Sequence, residues 1–166
     1  LAYVSNQNKL INLINKNKMK NYQSNQKLVN AFATYQSYEG KANSMYFGGS
    51  TIYSYGYHFP IATRTDKATF FNISKYSNTT AKHQSLVRNA LSNDNFIECM
   101  FVPTISQIER NYLDDTHKNN LNYWEGRISS LIKEIENPRV RNKQTRLDAI
   151  EKLNANRDEY KNYFKI

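Results

Sequence analysis

Between Tyr53 and His83 the chain concentrates the groups that could do chemistry. Tyr53-Ser-Tyr-Gly-Tyr-His-Phe-Pro60 and Asn72-Ile-Ser-Lys-Tyr-Ser-Asn-Thr-Thr-Ala-Lys-His83 bring phenols, hydroxyls, ammonium groups and two imidazoles into about thirty residues. That mixture suits contact with phosphates and bases. Ser77, Asn78, Thr79 and Thr80 stand where a helix should begin, with Lys75, Lys82 and His83 close by. Free backbone N–H groups, hydroxyls and cations at a helix start make an anion site, for which a phosphate of RNA, DNA or a nucleotide is the natural occupant. Plain N-capping is the competing reading of the same residues. His83 also has two readings. It precedes Val87 by four and Ala90 by seven, which fits a histidine hydrogen-bonded at the edge of a core.

A catalytic version of this site can be written. If His58 and His83 faced one cleft with Lys82, and with Lys75, Arg64 or Arg88 nearby, a base, an acid and cations would surround a scissile phosphate. The result would be a metal-independent nuclease or cyclic-nucleotide phosphodiesterase. Nothing in the spacing demands it. The three histidines, His58, His83 and His117, are not at metal-ligand spacing with one another or with cysteine, so no metal is called for. Asp114-Asp115 before His117 reads as a helix cap. No Walker loop or nucleophile elbow is present, and no cofactor is implied. Cys99, the single cysteine, lies in the apolar run Phe96–Val102 and reads as a buried core residue.

Charge points the same way as the polar segment. The formal net charge of the 166 residues is +9. Residues 1–42 carry six lysines against one glutamate, including Lys16, Lys18 and Lys20 in the patch Asn15–Lys20. Such a field favours nucleic acid first and an acidic protein surface second. No secretory signal or membrane-length apolar run appears, so a cytoplasmic protein with no membrane partner is expected.

The elements that must position these groups follow from periodicity. Residues 1–40 read as two helical stretches, one around Leu10–Ile14 and one carrying Leu28, Val29, Phe32 and Tyr35. Residues 43–102 read as mostly strand. Alternation from Thr51 to Ala62 predicts one strand with Tyr53, Tyr55 and Tyr57 on a single face, either core or a base-stacking row. Pro60 predicts a bend or an edge there. Thr63–Lys67 predicts a hairpin connection, Ala68–Ile73 a return strand, and Phe96–Val102 a third strand after a helix striped by Leu86, Val87, Ala90 and Leu91.

Residues 104–166 read as a helical hairpin broken at Asn137-Pro138. Leu121, Trp124, Ile128, Leu131 and Ile135 form a heptad seam. The seam could pack on the sheet or support a homo-oligomer through residues 121–135. The predicted fold is α+β: an N-terminal helical segment, a small antiparallel sheet with one packed helix, and a C-terminal antiparallel helical hairpin. The division is a core of residues 1–103 and a hairpin of residues 104–166.

The string Tyr55-Gly-Tyr-His-Phe-Pro-Ile-Ala62, with Asn72 and Tyr76-Ser-Asn-Thr-Thr-Ala-Lys-His83, resembles small proteins encoded by tailed phages and related mobile elements. The resemblance covers roughly residues 50–92 and carries no activity or catalytic residues. It implies an accessory protein acting in a bacterial cytoplasm. The expectation is a non-enzymatic basic protein that binds nucleic acid or a nucleoprotein complex, and the resemblance extends this to inhibition of a host defence such as a CRISPR effector. A nuclease and a self-associating assembly protein are the rivals.

Overall fold

The computed structural model of the chain describes residues 19–166. Seven strands form one sheet in sequence order: β1 (Lys20–Asn21), β2 (Glu39–Ala42), β3 (Met45–Gly48), β4 (Thr51–Ser54), β5 (Phe59–Arg64), β6 (Thr69–Asn72) and β7 (Phe96–Cys99). β2 to β6 run as an antiparallel meander. The two outer pairs, β1–β2 and β6–β7, are parallel. A parallel pair needs a crossover, and a helix supplies each one. α1 (Asn25–Ala33) joins β1 to β2, and α2 (Asn78–Ala90) joins β6 to β7. The fold is α+β, as the sequence predicts, with a larger sheet than the strands legible there.

Both crossover helices lie on one sheet face. Leu28, Val29 and Phe32 of α1 and Val87 of α2 join Phe47, Ile52, Ala62 and Phe71 in one core. Gly40 of β2 belongs to this face for a steric reason. A Cβ there would stand 2.6 Å from the rings of both Phe47 and Tyr22. Arg64 clamps the same side. Its Nε donates to Asp94 Oδ2 at 3.0 Å and its Nη1 to the Ala33 carbonyl at 2.8 Å, with Tyr35 stacked 4.3 Å from the guanidinium.

The opposite face is covered over β6 and β7 by the C-terminal helices. After α3 (Ile105–Glu109), α4 (Asp114–Glu136) and α5 (Gln144–Phe164) form the predicted antiparallel hairpin. Trp124 and Tyr160 pack with Phe70, Ile97 and Cys99 in a second core. Consecutive residues of β6 thus serve different cores, Phe70 the hairpin and Phe71 the crossover helices, because strand side chains alternate. Trp124 and Leu131 of the heptad seam are both buried. Burial of two large side chains of this kind contributes about 2–3 kcal/mol each.

Three expectations need correction. Thr51–Ala62 is a hairpin, not one strand. β4 stops at Ser54, and residues 55–58 turn, with Tyr55 at φ 56° and Gly56 at φ 70°. Positive φ at two successive residues closes a tight turn, and glycine takes the second without strain. Tyr53, Tyr55 and Tyr57 therefore do not form a row. Tyr53 and Tyr57 meet Tyr46 across the turn, with ring centroids 4.3–6.0 Å apart, and Tyr55 goes to the other side against His83. Secondly, two helices pack on the antiparallel strands, not one. Thirdly, Lys20 lies in a strand, and the stretch Leu10–Ile14 falls outside the described residues. The bend expected at Pro60 is a register shift at Ile52/Tyr53, where Ile52 pairs with Ala62 and Tyr53 with Pro60. The extra residue, Ile61, lets it and Ala62 both enter the α1–α2 core.

Candidate nucleic-acid interface

The helix start behaves first as a cap. Ser77 is extended, at φ −155°, and its Oγ accepts from the Thr80 N–H at 3.1 Å. Thr80 is buried, its hydroxyl 3.0 Å from Ser77 Oγ. Asn78 and Thr79 are exposed in the first turn, and Lys75 and Lys82 are exposed on either side. Capping accounts for Ser77 and Thr80. The lysines remain available to a partner.

His83 is an internal residue, only 3% exposed. Ser54 Oγ lies 2.8 Å from its Nδ1, and Asn25 Nδ2 donates to its Nε2 at 3.1 Å. Ser44 Oγ stands 3.4 Å from the same Nε2. With Nε2 accepting, Nδ1 carries the proton and donates to Ser54. Burial pushes the imidazole pKa below its ordinary value, which keeps the ring neutral. The three partners join α2 to β4, to the β2–β3 turn and to the first residue of α1. His83 is thus a structural clasp, the second of its two sequence readings.

His58 is elsewhere. It is exposed on the β4–β5 turn and lines two surface pockets, neither of which includes His83. The two histidines share neither of these pockets, and His83 is buried where His58 is exposed. The guanidiniums that such a cleft would need are engaged elsewhere. Arg64 pairs with Asp94, and Arg88 pairs with Glu98 at 2.9 Å while stacked 4.1 Å over Phe71. His117 bonds through Nδ1 to Tyr160 OH at 2.8 Å. Asp114 and Asp115 occupy the first turn of α4 rather than its cap position, where carboxylates favour the positive helix end. Among the described residues no group of three or more His, Cys, Asp or Glu could hold a metal ion. Cys99 is fully buried, and desolvation pushes its thiol pKa far up.

A cationic groove stands out at β1 and α1. About 480 Å³ in volume, it is walled by Lys20, Tyr22, Gln23, Lys27, Asn30 and Gln36, among others. Lys20 Nζ lies 5.3 Å from the centroid of the Tyr22 ring, and Lys27 Nζ donates to Gln23 Oε1 at 2.5 Å. No carboxylate lines the groove, and among the described residues neither lysine joins an ion pair. This groove adjoins the α2 patch through α1. The link is the Asn25–His83 hydrogen bond between the two helices; no residue of α2 lines the groove itself.

Lys20 thus belongs to a site, while Lys16 and Lys18 lie outside the described residues. Sequence reasoning named Lys20 but missed Tyr22, Gln23, Lys27, Asn30 and Gln36. The only local signal was Gln23 four residues before Lys27. Comparison with known protein families, with curated proteins and with solved structures found no match for this chain. Among the described residues no helix is long and apolar enough to cross a membrane.

Proposed function

We propose that the protein binds nucleic acid, free or within a nucleoprotein complex, through the cationic surface around β1, α1 and the start of α2. The observation that carries this reading is the carboxylate-free groove of Lys20 and Lys27, in a chain whose first 42 residues hold six lysines and one acid. Lysines supply phosphate contacts, and the amides of Gln23, Asn30 and Gln36 can donate to or accept from sugars and base edges. The resemblance to phage and mobile-element proteins extends the proposal to its setting, a bacterial defence complex whose nucleic acid the protein would contact.

The test is electrostatic. Fluorescence anisotropy of labelled RNA and DNA oligonucleotides, titrated with the full chain, gives an affinity that falls linearly on a log–log plot against salt. Three or more neutralised phosphates predict a slope of about −2 or steeper. Affinity that ignores salt, or no binding at low salt, rejects the proposal.

A further inference from the structure

The two pockets at the β4–β5 turn share a wall. The first, of about 360 Å³, is formed by Tyr55, His58, Phe59, Tyr76 and Ser77. The second, of about 520 Å³, shares His58 and Phe59 with the first and adds Met100, Phe101 and Gln107 among its walls. Three of these aromatic rings are open to solvent: Tyr55 at 44%, Tyr76 at 73% and Phe101 at 49% exposure. Tyr76 is nonetheless supported, because its ring lies 5.6 Å from that of Phe59. No aspartate or glutamate lines either pocket, although the chain has fourteen. Lys75 adjoins Tyr76 in the chain and is exposed.

Exposed rings around paired cavities form an unusual surface for a soluble domain and point to a ligand. With no carboxylate in either lining and a net charge of +9 on the chain, an anionic ligand is favoured. A flat, aromatic and anionic ligand in repeating units is a nucleic-acid strand. We infer that the two pockets form a track for unpaired bases of single-stranded nucleic acid. Tyr76 and Phe101 are the stacking platforms, and His58, on the shared wall, is placed for the phosphate that links the two nucleotides. Bases inside a duplex have both faces covered by their neighbours, so such a track selects single strands. The inference rests on the nucleic-acid reading above and narrows it.

The experiment compares a fluorescein-labelled oligothymidylate of about twelve nucleotides with a duplex of equal length, using the full chain at one low salt concentration. Tyr76→Ala and Phe101→Ala are each expected to weaken single-strand binding about tenfold. Duplex binding should stay within about twofold. Tyr76→Phe keeps the platform and should bind like the parent. Oligonucleotides with abasic sites should reproduce the alanine loss against the parent protein. Both alanine positions are exposed, so folding is not at risk, and unchanged thermal unfolding checks this. Single-strand affinity unmoved by both alanine variants overturns the track while leaving the cationic reading intact. The same holds if duplex affinity falls in parallel. Binding of neither probe overturns both.

Discussion

His83 shows how much one side chain can hold together. Its ring joins Ser54 in β4, Asn25 in α1 and, at longer range, Ser44 in the β2–β3 turn. Replacing it with alanine leaves a buried Ser54 hydroxyl and the Asn25 amide without this partner, and opens a cavity. The expected loss in His83→Ala is about 2–4 kcal/mol, read as a lower urea midpoint. The pH dependence follows from its depressed pKa. Above the ordinary value of 6.5 the ring is neutral in both the folded and the unfolded chain, and its contribution is complete. As pH falls through 6.5 the unfolded chain takes up the proton first, so stability declines until the folded pKa is passed. His117, also depressed by burial against the opposing pull of Asp114, adds to the same decline. Urea midpoints measured between about pH 8 and pH 5 should therefore fall. The slope should be shallower in His83→Ala. An equal slope in parent and variant would mean that His83 does not titrate in the folded protein as its surroundings require.

At the scale of elements, local signals were legible where they were self-contained. The run Ser77–Thr80 before a stripe of Leu86, Val87 and Leu91 marked the start of α2, and among those candidate caps the structure uses Ser77. The 3–4 spacing from Leu121 to Ile135, then Asn137-Pro138, gave α4 and its end. What failed depended on distant partners. β1 is two residues long and is a strand because α1 brings β2 alongside it, and β2, four residues long, is held between β1 and its hairpin partner β3. Alternation from Thr51 to Ala62 suggested one strand because a tight turn inverts the chain without disturbing the pattern. The positive φ at Tyr55 had no glycine to announce it. The cationic groove was illegible for the same reason, since Lys20 and Lys27 share it only after β1 and α1 are folded against each other.

The seam of α4 gives a prediction at this scale. Leu131 is 3% exposed in a helix packed along α5, so its apolar surface is already covered within the chain. Leu131→Glu would place a carboxylate in a buried apolar seam, and about 3 kcal/mol or more of stability should be lost. In sedimentation, the folded variant and the parent should show the same mass. A parent dimer that the substitution splits into stable monomers would restore the assembly reading.

Across the whole molecule, the sheet separates two chemical environments. One face carries α1 and α2 with Lys27 and Lys82, and the other carries α4 and α5, whose lysines sit among ten acidic residues of the segment 104–166. Net charge alone cannot distinguish these faces, but screening can. At about 0.1 M salt a charge acts over roughly 10 Å, less than the thickness of a helix–sheet–helix stack. Reversing the same number of charges on each side is therefore a fair comparison. Lys20→Glu/Lys27→Glu and Lys118→Glu/Lys161→Glu change the net charge equally. All four lysines are exposed. If a polyanion is held at the groove, the first pair should lose about ten- to a hundredfold in oligonucleotide affinity and show a shallower salt slope. The second should change by less than about threefold. Equal losses would mean that the protein attracts polyanions only through its overall charge, and the groove would then have no special place in binding.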